Sequence, residues 1–208
     1  MKIHSIFSSL QGEGRFQGIP TLFIRLHGCN LRCSYCDALP AVEGEDYREM
    51  TVKEVLRKIN ECGLNDICIT GGEPFMQQRE LYDLLKVATE KRVSVETNGS
   101  FDLKEAVAMF PDVHFSVDWK TPGSGAESFN TGNIDAVRSG KGWIKFVVSS
   151  RDDLDFIDEK LSSLENIEVY LSPVYEKGVE LFKDVEQFVM ERKNIRFQIQ
   201  LHKVLGIE

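Results

Sequence analysis

The feature that most constrains the fold is a regular alternation of strand-like and helix-like segments. Short β-branched runs are followed by segments with apolar residues at helical spacing, and Thr51 and Glu54 form a capping box before the first of these helices. Strands linked through helices pair in parallel, because the crossover returns the chain to the same edge of the sheet. The predicted strands cover 21–27, 66–70, 93–97, 113–119, 142–148, 167–171 and 195–201, and the predicted helices cover 51–62, 78–90, 102–110, 152–164 and 179–192.

Chain length then narrows the architecture. A complete eightfold βα barrel usually needs about 250 residues, and this chain has 208. The sequence therefore predicts an α/β fold with a partial (incomplete) βα barrel of about six parallel strands, and a doubly wound open sheet is the alternative. No linker or internal repeat divides the chain, so residues 1–208 are expected to form a single domain.

Charge and hydropathy exclude several classes of function. The formal net charge is −8, which argues against nucleic-acid binding through phosphate neutralisation and against a polybasic membrane anchor. No apolar run approaches the roughly 18 residues that span a bilayer. The start of the chain has no long apolar segment before a cleavage site. These features predict a cytoplasmic protein that binds neither nucleic acid nor membrane.

Four successive predicted strands are followed by loops rich in glycine, proline and polar residues. Because the carboxyl ends of parallel strands lie at one edge of the sheet, such loops form the usual site of chemistry in this architecture. The opposite strand ends carry no comparable pattern. A functional site is therefore expected at one rim, built from residues 28–37, 70–74, 96–99 and 118–122.

The first of these loops carries Cys29, Cys33 and Cys36 in the spacing C-x3-C-x2-C. Thiolates are soft ligands that select an iron–sulfur cluster or zinc. Structural zinc usually has four ligands, whereas three thiolates can hold a four-iron cluster with one iron open to a small molecule. On spacing alone, a zinc knob with a distant fourth ligand stays open. Cys62 and Cys68 lie in apolar or helix-end contexts, which predicts buried structural thiols.

The cysteine loop resembles the signature of the radical S-adenosylmethionine superfamily, because Tyr35 directly precedes Cys36. The run Gly71-Gly72-Glu73-Pro74 resembles that superfamily's second motif. The resemblance implies a [4Fe-4S] cluster held by Cys29, Cys33 and Cys36, with S-adenosylmethionine chelated at the open iron. It also implies that an electron from the reduced cluster cleaves the sulfonium and releases a 5′-deoxyadenosyl radical.

Further segments resemble one family within that superfamily, the 7-carboxy-7-deazaguanine synthases. The resemblance extends over essentially the whole chain. It implies that the protein converts 6-carboxy-5,6,7,8-tetrahydropterin to 7-carboxy-7-deazaguanine with loss of ammonia, on the route to queuosine and archaeosine. It further implies a homodimer and an electron donor such as flavodoxin or ferredoxin. The segments that carry it are SIFSSLQGEG (5–14), GIPT (18–21), FIRLHGCNL (23–31), ETNG (96–99), K-x-PGSG (120–125) and QLHK (200–203).

The family resemblance assigns substrate contacts to Leu10, Gln11, Gly12, Arg25 and Thr70. The chemistry of these residues is compatible with that role. A glutamine amide and backbone groups suit the donor and acceptor edge of a pterin, and the arginine fork suits a carboxylate. The alternatives are an ordinary turn at 10–12, a salt bridge from Arg25 to an acidic residue, and simple strand propensity at Thr70.

The same resemblance assigns cofactor contacts after the first, second and fourth strands. Residues 35–37 are expected along the adenine and Gly72 at the methionine end of S-adenosylmethionine. A tryptophan at position 119 either walls the adenosyl group or packs in the core. The assigned residues are Tyr35, Cys36, Asp37, Gly72, Asp118, Trp119 and Lys120.

Two positions depart from the family pattern. Members commonly have threonine after Cys-Asp, where its hydroxyl helps to hold Mg²⁺, but here Asp37 is followed by Ala38. Asp37 still offers oxygen ligands to Mg²⁺, so the Mg²⁺ requirement is in doubt and is expected to be weaker than in relatives. Many members end in proline, and this chain ends in Glu208, whose role is open.

Two other functions remain as alternatives. A glycyl-radical activating enzyme shares the cluster motif but acts on a partner protein, so it would not need a small polar pocket built from residues 10–12 and Arg25. A non-enzymatic metal-binding module would not cleave the cofactor.

Overall fold

The computed structural model describes residues 1–207 and contains one nine-stranded sheet in the order β3-β1-β2-β4-β5-β6-β7-β8-β9. Seven strands, β2 and β4 to β9, are parallel to one another. The predicted α/β partial barrel is therefore confirmed, and its seven parallel strands correspond to the seven predicted strand segments, against the estimate of about six. The strands are β1 (Lys2–Leu10), β2 (Pro20–Leu26), β3 (Arg48–Glu49), β4 (Asp66–Gly71), β5 (Arg92–Thr97), β6 (His114–Asp118), β7 (Lys141–Val148), β8 (Val169–Pro173) and β9 (Ile195–Phe197).

Strand β1 was not expected from the sequence. It runs antiparallel to β2, with Phe7 opposite Phe23, and their rings stack at 5.2 Å between centroids. Its sequence mixes Ser, His and Lys with apolar residues, so it lacks the strong apolar pattern that marks the parallel strands. Because β1 is antiparallel to β2, it ends beside the start of β2.

Along the chain, most helices lie between consecutive parallel strands, and the last helix follows β9. The predicted capping box is confirmed: Thr51 Oγ1 accepts from the Glu54 N–H, and the Glu54 carboxylate accepts from the Thr51 N–H. The helix predicted from residue 102 begins later, with Asp102 accepting from the Lys104 N–H at 2.9 Å. The helices are α1 (Leu39–Val42), α2 (Val52–Glu61), α3 (Gln78–Val87), α4 (Lys104–Met109), α5 (Asn133–Ser139), α6 (Arg151–Leu161), α7 (Val179–Met190) and α8 (Leu201–Leu205).

The two faces of the sheet have different surroundings. One face contributes to the hydrophobic core, with side chains such as Ile24, Ile69 and Phe146 fully buried. Residues that alternate with these, such as Arg25, Thr70 and Lys145, line a cavity instead. Period-2 alternation along each strand thus separates a packed face from a functional face.

Hydrogen bonds that are not strand pairs join the loop after β1 to the segment after β9. The predicted strand 195–201 ends at Phe197, and the chain then contacts the loop after β1. The Leu201 N–H donates to Gly12 O at 3.0 Å. Gln17 Nε2 donates to Gly12 O at 2.8 Å and to Ile199 O at 2.6 Å. These bonds bring the loop after β1 and the segment after β9 to one side of the cavity.

Among residues 1–207, none of the helices combines the length and the apolar character that crossing a membrane requires.

Candidate active site

A cavity of about 520 Å³ lies on the functional face of the sheet. It is bounded by the loops after β2, β4, β5 and β6, by the loop after β1 and by the segment after β9. This volume is in the range of sites that enclose a small organic ligand. Every residue named from the resemblance lines it except Trp119: Leu10, Gln11, Gly12, Arg25, Cys29, Cys33, Tyr35, Cys36, Asp37, Thr70, Gly72, Asp118 and Lys120.

The three cysteines of the first loop are free thiols that face this cavity. Burial raises the pKa of Cys33, and the charge of Lys120 partly offsets that effect. Burial likewise raises the pKa of Cys36, against a hydrogen bond from the Ala38 backbone. The charges of Cys29 and Cys36 also raise the pKa of Cys33, and the charge of Cys29 raises the pKa of Cys36, so the three thiols are close enough to interact.

The chemistry of this donor set fits an iron–sulfur cluster. Three soft thiols on one loop open onto a cavity, which is the arrangement a cluster with an accessible iron requires. Within the described residues, no group of three or more His, Cys, Asp and Glu side chains is arranged to hold a single metal ion.

Two glycines allow the β4 loop to approach the cysteine loop. Gly71 has φ of +129°, and a Cβ on it would lie 2.1 Å from Leu26 O. A Cβ on Gly72 would lie 1.9 Å from Gly28 O, immediately before Cys29. Since any side chain would collide with backbone at both positions, only glycine permits this contact.

Glu73 stabilises the same region through buried hydrogen bonds. Its carboxylate is fully buried and accepts hydrogen bonds from the Phe75 N–H (2.9 Å), Thr97 Oγ1 (2.8 Å) and the Asn98 N–H (2.7 Å). Burial raises the pKa of Glu73 to about 7, against the lowering effect of these donors. The acid of this motif thus connects the end of β4 to the end of β5.

A polar cluster lines the cavity at the ends of β4 and β5 and in the loop after β1. Glu96 accepts from Gln11 Nε2 at 3.2 Å and from Thr70 Oγ1 at 2.9 Å. Gln11 Oε1 accepts from the Glu13 N–H at 3.2 Å. The loop after β1 is therefore bonded directly to β5 and, through Glu96, to β4, and separate motifs predict both strand ends at the site.

Arg25 lies on β2 beside this cluster. Its guanidinium is 5.5 Å from the centroid of the Phe7 ring. Within residues 1–207 it forms no ion pair, although 33 acidic residues occur in the chain. The salt-bridge alternative is thus not realised, and the guanidinium faces the cavity without an anion.

Buried charges form another part of the cavity lining. Lys145 pairs with Glu13 and lies 3.3 Å from Asp118, which also binds Lys120 at 2.8 Å. Burial lowers the pKa of Lys145, but the carboxylates of Glu13 and Asp118 raise it well above its usual value. Gln200 Nε2 donates to Glu13 at 2.7 Å. Sequence reasoning missed Lys145, because nothing in a strand sequence marks which alternating side chain will meet a distant carboxylate.

The indole of Trp119 does not line the cavity. It is 7 % exposed and packs in the core, stacked on Phe129 with 4.0 Å between ring centroids. The core-packing alternative for Trp119 is what the structure shows, and the expected cofactor contact through this side chain is corrected. The strand alternates, so that Asp118 and Lys120 face the cavity while Trp119 faces the core.

Asp37 and Ala38 lie at the mouth of the cavity. The Asp37 side chain is 42 % exposed, and its Oδ2 lies 3.4 Å from His202 Nε2. Burial raises the pKa of Asp37, but the hydrogen bond to His202 and the charge of Lys145 lower it below its usual value. Ala38 lines the cavity without offering an oxygen ligand from its side chain. Glu208 lies outside the described residues.

The fold, the cysteine loop and the glycine-rich loop after β4 together define a class of protein. The family model of the Radical SAM superfamily matches residues 23–124 of this chain. The chain is 37% identical over 211 residues to a 7-carboxy-7-deazaguanine synthase of Methanospirillum hungatei, covering 100% of this chain and 86% of that protein. It is 40% identical to the enzyme of that name from Clostridium acetobutylicum, covering 98% of this chain and 95% of that protein. The chain belongs to the 7-carboxy-7-deazaguanine synthase family of radical S-adenosylmethionine enzymes.

The solved structures support the fold. The crystal structure of QueE from Escherichia coli superposes with a TM-score of 0.78 at 24% sequence identity, covering 97% of this chain and 94% of that one.

Proposed function

We propose that this protein converts 6-carboxy-5,6,7,8-tetrahydropterin to 7-carboxy-7-deazaguanine with loss of ammonia. The observation that carries the proposal is the guanidinium of Arg25, which has no ion-pair partner among residues 1–207, in the cavity that the three cysteines also face. A small ligand with one carboxylate and a flat polar ring would pair with the guanidinium and fit into the cavity. The product belongs to 7-deazapurine biosynthesis, which serves queuosine and archaeosine.

The residues around the cavity match the groups of that substrate. Arg25 offers a two-pronged donor to the carboxylate. A pterin presents adjacent N–H donors, and Glu96 presents a carboxylate already held in place by Gln11 and Thr70. Binding at both ends would fix the ring in one orientation, which radical chemistry requires because a radical attacks the nearest hydrogen.

Cys29, Cys33 and Cys36 would hold a [4Fe-4S] cluster, and Tyr35, Gly72, Asp118 and Lys120, which line the same cavity, would contact S-adenosylmethionine. When bound, these groups supply one-electron radical chemistry. The chain itself would position both molecules in one cavity and exclude water from between them.

Mg²⁺ binding is proposed to be weak. Asp37 offers a carboxylate, Ala38 offers no hydroxyl, and Mg²⁺ prefers six hard oxygen ligands. Most of its ligands would therefore come from water and substrate.

We further propose a single domain over residues 1–208, a homodimer, a cytoplasmic location and reduction by a donor such as flavodoxin or ferredoxin. The family membership supports these proposals, and the net charge of −8 supports the absence of a nucleic-acid partner.

The test is anaerobic incubation of the iron-loaded protein with S-adenosylmethionine, reductant and carboxytetrahydropterin, with the products identified by mass spectrometry. 7-carboxy-7-deazaguanine in molar excess over enzyme supports the proposal. Cofactor cleavage that is not stimulated by the pterin would favour the glycyl-radical activating enzyme, and no cleavage at all would favour the metal-binding module.

A further inference from the structure

The cysteine loop is fastened to the loop after β5 by a closed ring of hydrogen bonds. Asn98 Nδ2 donates to Asn30 Oδ1 at 3.0 Å, and Asn30 Nδ2 donates to Ser100 Oγ at 2.9 Å. Ser100 Oγ then donates to Asn98 Oδ1 at 2.7 Å. We call this hydrogen-bonded set of Asn30, Asn98 and Ser100 the amide ring. Each of its three side chains both donates and accepts a hydrogen bond, so the bonds strengthen one another.

The orientation of the Asn98 amide follows from its neighbours. The Ser100 backbone N–H donates to Asn98 Oδ1 at 3.0 Å, and a backbone N–H can only donate. The atom that it meets is therefore the oxygen, and Nδ2 must face the opposite way. The Asn98 backbone N–H is held by Glu73, and the residue is only 7 % exposed.

The second hydrogen of Asn98 Nδ2 is directed at a cysteine of the site. Nδ2 lies 3.8 Å from Cys29 Sγ, within hydrogen-bond range for sulfur, and the Leu31 backbone N–H lies 3.4 Å from the same sulfur. Among residues 1–207, Asn98 is the one side chain that donates to a sulfur of Cys29, Cys33 or Cys36. One cysteine is thus distinguished from the other two.

We propose that Asn98 is a positioning residue that sets the reduction potential of the bound cluster through its hydrogen bond to Cys29. The inference rests on the proposed function, in which Cys29 is a cluster ligand. An added electron increases the negative charge on the cluster and on its ligand sulfurs. An N–H donor therefore stabilises the reduced form more than the oxidised form and raises the potential.

The competing explanation is that the amide ring only holds the loop in place. The chain offers a matched pair of variants that separates the two. Asn98→Ala removes the donor to sulfur together with the ring. Ser100→Ala also breaks the ring, but it keeps the Ser100 backbone N–H that orients Asn98 and hence keeps the donor to Cys29.

The experiment is a redox titration of the anaerobically reconstituted protein, monitored by electron paramagnetic resonance, without S-adenosylmethionine or substrate. At the wild-type midpoint, Asn98→Ala should lower the ratio of reduced to oxidised cluster about threefold to tenfold, a shift of about 30–60 mV to more negative potential for one electron. Ser100→Ala should change that ratio less than about twofold.

An unchanged midpoint in Asn98→Ala, or an equal shift in both variants, would overturn the proposal. Should Asn98→Ala fail to load iron, Asn98→Leu takes its place, because it keeps the size of the side chain without adding a charge and cannot donate to sulfur. Its midpoint must also move to more negative potential. Iron and sulfide are measured first in the wild type, and a wild type that binds no iron would instead refute the cluster assignment itself.

Discussion

The two sides of the cavity are built on different principles. On the cysteine side, the groups that face the cavity are free thiols, and the close approach of glycine backbone holds their loop. On the substrate side, Lys145 is buried and paired with Glu13, and Glu96 is held by two donors. The cysteine side thus offers free thiols to a charged cofactor, whereas the charged and polar groups of the other side are already paired with one another in the protein.

The largest expected effect distinguishes the three cysteines that face the cavity from Cys68. Replacing Cys29, Cys33 or Cys36 with Ala should abolish the iron content and the reaction, because each thiolate would fix one iron. Cys68 is fully buried beneath the cavity and serves as the matched control. Cys68→Ala should keep close to four irons per chain, as judged by iron analysis and the absorption spectrum (the number expected for such a cluster). Equal iron loss in all four variants would contradict the assignment.

The next effect tests the paired side. Lys145→Met leaves Glu13 and Asp118 buried without their shared partner, and the free energy of unfolding should fall by about 3–5 kcal/mol. Urea unfolding of the cluster-free protein measures it. Lys183 pairs with Glu180 on the surface, so Lys183→Met should change stability by less than about 1 kcal/mol. Similar values for the two variants would show that the buried charges are not a preassembled part of the cavity lining.

Arg25 gives a smaller and more selective effect. Arg25→Ala should weaken substrate binding by about 1.5–3 kcal/mol, the range for a hydrogen bond to a charged group. Arg25→Lys should restore only part of that loss, because lysine lacks the planar fork. The dissociation constant from calorimetry provides the measurement, with unfolding of each variant as the control. Full rescue by Lys would mean that charge alone, and not geometry, binds the carboxylate.

The smallest effect concerns Mg²⁺. Ala38→Thr adds one hard oxygen near Asp37, and it should lower the Mg²⁺ concentration for half-maximal turnover by less than about tenfold, or 1.4 kcal/mol. Initial rates are titrated with Mg²⁺ for both proteins, and Ala38→Val provides a variant of similar shape without the hydroxyl. Coinciding curves for all three proteins would show that position 38 does not influence the metal.

The contrast between the two sides of the cavity also explains which features could be predicted from the sequence. The parallel strands carry strong local patterns, and the cysteine and glycine motifs are contiguous, so the rim and its cysteine loop were predictable. Strand β1 was not, because its residues are mixed and its partner is defined only by pairing with β2. Helix α5 follows a glycine-rich stretch and is too short for a clear periodicity.

The paired charges were beyond sequence reasoning for a different reason. Glu13 and Lys145 are separated by 132 positions, and only the tertiary structure brings them together. Trp119 could not be placed from the sequence either, although its neighbours are local. Strand alternation decides whether a side chain faces the cavity or the core, and a shift of one residue in register moves it to the other face.

The central claim is that the cofactor side and the substrate side are separate parts of one cavity. One reaction tests it most directly: 5′-deoxyadenosine and 7-carboxy-7-deazaguanine are both quantified, at limiting pterin, for the wild type, Arg25→Ala and Cys33→Ala. We expect the wild type to form both compounds, Arg25→Ala to form 5′-deoxyadenosine with little deazaguanine, and Cys33→Ala to form neither. Loss of both products in Arg25→Ala, in a protein that retains its iron and its fold, would contradict the account.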